Sequence, residues 1–229
     1  ALRVLDELFQ VVEGIRNRLA AGRFFQIGKS AAPQTHLACL FDGDDMAANS
    51  QIDIALDLNF NFKTEGYIKI GRALEQYGLL WLEIDSYDPE ALRQIKESVR
   101  TPVASCENLY GLRQYRPFFV SHAMDIASID VIWNGFSGSR KIADMAELYE
   151  MNVCPHNYNG HLSTFISMQF CALVPNLRFA EIDVDDVPWR DELFTHSPEV
   201  ENGYLNVPTR SGWGADVNEK TLAKHKWPR

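Results

Sequence analysis

Positive charge is in short supply in this 229-residue sequence: 22 Lys and Arg face 31 Asp and Glu, a net charge of -9. That balance argues against nucleic acid as a partner, because phosphate binding calls for clustered Lys and Arg. Cysteine is sparse too. Cys39, Cys106, Cys154 and Cys171 lie far apart, with no Cys-x-x-Cys pair, which suits free thiols in a reducing compartment rather than a disulfide frame. No apolar run approaches the ~18 residues of a membrane span, and no signal peptide is visible. We therefore expect a cytoplasmic protein with no membrane partner. Low-complexity stretches and internal linkers are missing as well. What remains is an ordinary globular composition, 46% hydrophobic and 23% charged, with enough apolar residues for a sizeable core.

The pattern along the chain is alternation. Val4, Leu8, Val11, Val12, Ile15 and Leu19 recur at helical spacing, and Gly22 is placed to end that helix. A short apolar run over 24–27 follows, then a polar stretch holding Asp42, Asp44 and Asp45, then the strand-like run 52–57. Helical segments are expected over 66–78, 88–100, 140–149 and 162–173, with strands over 79–82, 102–105, 129–133, 151–154 and 177–182. Asp88-Pro89-Glu90 is a good helix start, with proline at the first position. Residues 111–120 read as mixed, and from about Val184 the pattern gives way to an irregular tail. Strand and helix in regular alternation predict an α/β fold, a parallel sheet wrapped by helices.

The strands end in acids at a regular interval. Asp57 closes the 52–57 run, Glu83 follows 26 residues later, and Glu107 follows 24 after that. One strand, one helix and two loops fill each interval. In a (β/α) barrel the C-terminal strand ends share one rim, where barrel enzymes place their chemistry. Three carboxylates converging there would suit a hard divalent cation, Mg²⁺ above all; three acids that merely face water are the alternative. His156, 49 residues after Glu107 and at the end of the 151–154 run, is a candidate general base. Lys29 follows the 24–27 run and would reach the same rim from the other flank, and Glu181 ends the last strand. "GKS" at 28–30 lacks the first glycine of a phosphate loop, and the acid-rich 181–192 run lacks the glycine of a calcium loop.

The segments "DIALDLN", "LLWLEID", "PVASCEN", "CPHN" and "NGYLNVPTRSGWGADVNE", in this order, resemble the successive motifs of the enolase superfamily, in its mandelate racemase/muconate lactonizing enzyme branch with the sugar-acid dehydratases. The similarity covers about residues 20–225. It implies a (β/α) TIM-type barrel with Mg²⁺ on Asp57, Glu83 and Glu107, and proton abstraction beside a substrate carboxylate. His156 and Lys29 would be catalytic. Asn59 and Glu181 would hydrogen-bond substrate or base, and His161 would either contact substrate or pack and hydrogen-bond under the rim. The expected organisation is a barrel domain over 1–200, carrying strands two to eight, and a tail over 201–229 returning toward a capping domain. That capping domain and the first barrel strand are not found in the sequence, which begins at Ala1, so a longer polypeptide is expected.

Three departures from the family pattern shape the expected chemistry. A Lys-x-Lys pair is reduced to Lys29; "WLEID" carries Ile84 and Asp85 in place of a second acid and proline. In "IDVIWNGFSG", Asn134 and Gly135 stand where an aspartate normally orients the catalytic imidazole, with Asp130 near the start of the expected strand. On that alignment His156 lacks a carboxylate partner, which favours dehydration of a sugar acid to a 2-keto-3-deoxy acid over two-base racemisation. An enolase-superfamily lyase acting on a small carboxylate, as a homo-oligomer, is the expectation. A racemase or epimerase of a 2-hydroxy acid, or a metal-binding barrel without catalysis, are the alternatives.

Overall fold

The computed structural model describes residues 36–40, 53–183, 189–201 and 203–225. Lys29, the helix expected over 4–19, the run 24–27 and the acids at 42–45 lie outside the described residues. Among the described residues the main sheet has six strands in sequence order: β1 (His36–Leu40), β2 (Asp53–Asp57), β3 (Trp81–Glu83), β4 (Val103–Ser105), β5 (Ile126–Ser128) and β6 (Asn152–Cys154). β2 to β6 run parallel, while β1 pairs antiparallel with β2. Between the parallel strands lie α1 (Thr64–Leu74), α2 (Pro89–Ser98), α3 (Gly111–Val120), α4 (Val131–Asn134) and α5 (Phe136–Leu148), and α6 (His161–Cys171) follows β6. Parallel strands joined by helices on one face form the wall of a (β/α) barrel.

Local chemistry explains the helices. In α2 the Asp88 side chain accepts from the N–H groups of Glu90 (3.0 Å) and Ala91 (3.2 Å), satisfying amides that the first turn leaves unpaired. In α1 Tyr67, Ile70, Gly71 and Leu74 are buried, a three-and-four spacing that makes one face against the sheet. Residues 111–120, mixed by pattern, form a helix that buries Tyr115, Phe118 and Phe119.

Two expected strands are corrected. The strand expected over 129–133 lies instead at Ile126–Ser128, and Val131–Asn134 is a short helix. The cause is Asp130, whose side chain accepts from Trp133 N–H at 2.8 Å and so caps that turn. The strand expected over 177–182 is reduced to one parallel bridge, Val153 with Leu177. The tail expected to be irregular is not wholly so: β7 (Val200–Glu201) and β8 (Tyr204–Leu205) form a small hairpin, and α7 (Glu219–Lys224) is capped by Asn218. Among the described residues no helix is long and apolar enough to cross a membrane.

The sheet has two buried faces of different make-up. The larger core joins Ile54, Leu56, Leu82, Val103, Ala127 and Val153 to the helices. The second is small and lies on the helix-free face: Ala55, Trp81, Ala104, Ile126 and Cys154, with Phe179 packed on them. Helix and sheet approach closely at Gly71, where a Cβ would lie 2.6 Å from Val99 Cγ1 and 3.2 Å from Leu82 Cδ1. Alanine is favoured over glycine within a helix by up to ~1 kcal/mol, but overpacking a core interface costs about 1–3 kcal/mol. Gly71→Ala is therefore expected to lower the melting temperature, by about 2–4 °C per kcal/mol lost in a chain of this size. Thermal unfolding followed by circular dichroism checks this; a raised midpoint would mean that the gap holds a methyl group without strain.

Candidate active site

The site is one layer of side chains stacked on the helix-free apolar layer. Side chains on a strand repeat by face every second residue, so two residues beyond Ala55, Trp81, Ile126, Cys154 and Phe179 come Asp57, Glu83, Ser128, His156 and Glu181. On β4 the same count from Ala104 arrives at Cys106, not at an acid. Cys106 adopts φ +87°, a left-handed conformation that costs energy for any residue but glycine. That kink buries Cys106 in the helix-side core, against Met124, and lets the next residue, Glu107, enter the polar layer. Strand register places Asp57 directly opposite Glu83.

Each acid is held by a specific donor. Asp57 Oδ1 accepts from Asn59 N–H (2.7 Å), and Ser128 Oγ–H donates to Glu83 Oε1 (2.6 Å). Asn108 Nδ2 donates to Glu107 Oε1 (3.2 Å) and to Asp85 Oδ2 (3.0 Å), clipping two buried acids together. Glu181 Oε2 accepts from Asn157 N–H at 2.5 Å. His156 stands among them, with Nε2 at 3.4 Å from Glu107 Oε2. Trp133 packs edge-on to the imidazole at 6.4 Å and is itself backed by Tyr110, stacked on it at 5.2 Å.

The expectation that His156 lacks a carboxylate partner is overturned. Its Nδ1 lies 2.9 Å from Asp130 Oδ2, and Asp130 is fully buried. The physical reason is the shift of β5: with the strand ending at Ser128, Asp130 falls beyond its C-terminal end, where a side chain reaches the rim. Asn159 Nδ2 donates to the same carboxylate oxygen at 3.2 Å. Asn134 does not orient the ring; its amide binds Leu109 O and Asp130 O and accepts from Gly111 N–H. Of the other expected contacts, Asn59 sits beside Asp57 with φ +47°, its Oδ1 accepting from Phe60 N–H. His161 lies apart from the acid layer, at the start of α6, with Nε2 at 2.5 Å from Asp191 Oδ1.

Burial sets the electrostatics. Asp57 is pushed up to about 7 by desolvation and by the charge of Glu107. Asp85 rises to about 9 for the same two reasons, and Glu83 rises well above the ordinary carboxylate range through burial, Glu107 and Asp57. Glu181 is raised as well, burial outweighing the nearby imidazole. Burial alone would lower His156, but its bond to Asp130 and the charges of Glu107, Glu181 and Glu83 win and lift it to about 10. A layer of acids this short of positive charge is chemically suited to a cation, and its oxygen-only donors Asp57, Glu83 and Glu107 fit a hard one such as Mg²⁺. Among the described residues no three His, Cys, Asp or Glu side chains are spaced to hold a metal ion as they stand, so Asp57, Glu83 and Glu107 would have to draw together around one.

A parallel-stranded barrel wall with acids and a His–Asp pair at the C-terminal strand ends defines the class. The comparisons with known proteins name the family. The model described as Enolase C-terminal domain-like matches residues 44–221, and the chain belongs to that family, within the mandelate racemase/muconate lactonizing enzyme branch of the enolase superfamily. It is 28% identical over 183 residues to D-xylonate dehydratase of Haloferax volcanii, covering 78% of this chain and 44% of that protein. Arabinonate dehydratase of Saccharolobus solfataricus is 29% identical over 180 residues, 76% of this chain and 48% of that one. A Burkholderia xenovorans strain LB400 protein, provisionally named an L-alanine-DL-glutamate epimerase and crystallised with magnesium and fumarate, is 50% identical with a TM-score of 0.74. That match covers 76% of this chain and 43% of the other. The chain thus spans less than half the length of each of these relatives.

Sequence reasoning missed Asp130, Ser128, Asn108 and the turn at Cys106. Asp130 had a signal: it lies 26 residues before His156 and 23 after Glu107, close to the interval that found the other acids. The raised acids carry a pH prediction. Folded Asp57 keeps its proton up to about 7 against an ordinary 3.8, so the native state binds protons more tightly across that window. Its contribution to stability is full below the lower value and lost as pH rises through the upper one. In the presence of a chelator the melting temperature should therefore fall as pH rises from about 4 past about 7, and Asp57→Asn should flatten the fall. Thermal melts across a pH series test this; a midpoint that climbs through the window would contradict the assigned burial of these acids.

Proposed function

We propose that this site removes the proton α to a carboxylate in a Mg²⁺-dependent reaction, with dehydration of a sugar acid to a 2-keto-3-deoxy acid as the overall chemistry. The observation that carries the reading is His156, with Nδ1 at 2.9 Å from buried Asp130, inside a layer of carboxylates. An ionised carboxylate only accepts, so Asp130 fixes the proton on Nδ1 and leaves Nε2 as the basic nitrogen. Asp57, Glu83 and Glu107 would hold the metal. When bound, Mg²⁺ supplies positive charge that offsets these acids and the negative charge left on the substrate carboxylate as its α-proton leaves.

The chain's own residues do the rest. In the uncompensated site the negative charges of Glu107, Glu181 and Glu83 help lift His156 to about 10, which would keep the ring protonated at neutral pH. Neutralising those charges lowers the imidazole toward the working range of a general base. His156 Nε2 then takes the α-proton. The β-hydroxyl leaves as water, with a proton that His156 can return, and the resulting enol tautomerises to the keto acid. Glu181, in the same layer, and Asn59, beside Asp57, would meet substrate groups. Dehydration is supported by the D-xylonate and arabinonate dehydratases among the relatives.

The Asp130 pair also favours a second reading, racemisation or epimerisation, because it removes the reason for disfavouring a His–Asp base. That reading needs a second base on the opposite face of the α-carbon, the role expected of Lys29. Both share the first proton transfer. With Mg²⁺ and a panel of sugar acids in D₂O, His156→Asn should abolish α-proton exchange and turnover, and Asp130→Asn should lower both by about 10²–10⁴-fold. NMR of the recovered substrate and product reads both quantities. Exchange at the wild-type rate in both variants would place the base elsewhere.

A further inference from the structure

Among the described residues six positions make up the polar layer, and the proposed reaction gives a part to every one except Ser128. Asp57, Glu83, Glu107, His156 and Glu181 are ionisable; Ser128 on β5 is neutral and buried. Its hydroxyl reaches past β4 to Glu83 Oε1 at 2.6 Å, with a separation of 45 residues along the chain. The strand between is the one whose inward position was vacated when Cys106 turned to the helix side.

The three carboxylates expected to bind metal share one feature. In each, the first oxygen is taken by an uncharged donor: Asn59 N–H on Asp57 Oδ1, Ser128 Oγ–H on Glu83 Oε1, and Asn108 Nδ2 on Glu107 Oε1. A carboxylate pinned at one oxygen loses its freedom to rotate and keeps its second oxygen for another partner. Neutral donors do this without cancelling the charge that attracts a cation. Such outer contacts are worth about 10–100-fold in metal affinity where they orient a ligand. Of the three, Ser128 gives the shortest bond and the only one that crosses between non-adjacent strands.

We propose that Ser128 is a positioning residue for divalent-cation binding, fixing Glu83 through Oε1 so that Oε2 is presented to the metal. The inference rests on the reading that Asp57, Glu83 and Glu107 take Mg²⁺. Alanine at 128 removes one oxygen atom from a buried site and leaves Glu83 Oε1 without its donor.

The test is calorimetric titration of Mg²⁺ into the metal-stripped full-length protein, with no substrate and no turnover. Ser128→Ala should raise the Mg²⁺ dissociation constant by about 10–100-fold. Ser128→Cys, close in size but a weak donor, should give a loss of the same order and stands in if the alanine variant does not fold. Ser128→Thr keeps the hydroxyl and should recover affinity. Ser105→Ala, at a buried serine on neighbouring β4, is the control and should bind as wild type does. Wild-type affinity in both Ser128→Ala and Ser128→Cys overturns the inference while leaving the metal site standing, and so does an equal loss in Ser105→Ala. No Mg²⁺ binding by the wild type overturns the metal site and the inference together.

Discussion

Like charges buried at close quarters are the constraint around which this site is organised. Asp57, Glu83, Asp85 and Glu181 are all raised above the ordinary carboxylate range, in each case first by burial. An isolated buried carboxylate is too costly to leave uncompensated, so it either holds its proton or acquires positive charge. Among the described residues, His156 is the positive group beside these acids, and against the effect of burial its bond to Asp130 and the charges of Glu107, Glu181 and Glu83 lift it to about 10. The neutral donors Asn59 N–H, Ser128 and Asn108 satisfy oxygens without relieving the charge. A polar layer of this kind is poorly suited to stabilising a fold and well suited to drawing in a cation.

The fold makes such a layer possible by separating the two duties of each strand. The helix-facing residues Ile54, Leu56, Leu82, Val103 and Val153 carry the main core. Directly beneath the acids, Ala55, Trp81, Ala104, Ile126 and Cys154 form an apolar floor. Burial of these two faces holds the strand ends in register, so Asp57 and Glu83 meet as paired residues and not as tips of loops. Rigid placement at strand ends is what a reaction needing sub-ångström alignment requires. The left-handed turn at Cys106 breaks the alternation along its strand, and the break is what admits Glu107.

Much of this was readable in the sequence, because periodicity carries it. The interval of 24–26 residues found Asp57, Glu83 and Glu107, and its continuation found His156 and Glu181. What escaped detection was governed by single contacts. The apolar run of Ile129, Val131 and Ile132 reads as a strand by composition, yet Asp130 caps a turn there and becomes the partner of His156. The switch at Cys106 carries no glycine to announce a positive φ, and a lone serine at 128 has no motif at all. The antiparallel pairing of β1 with β2 was equally unmarked, since residues 36–40 follow a polar, aperiodic stretch.

The central claim is that Asp57, Glu83 and Glu107 converge on one divalent cation beside His156. Anomalous diffraction from crystals of the full-length protein grown with Mn²⁺ in place of Mg²⁺ tests it most directly. The account predicts a single strong anomalous peak bonded to an oxygen of each of the three carboxylates, at about 2.0–2.3 Å, with His156 close by but not a ligand. An empty layer at saturating Mn²⁺, or a peak held by other residues, would contradict it.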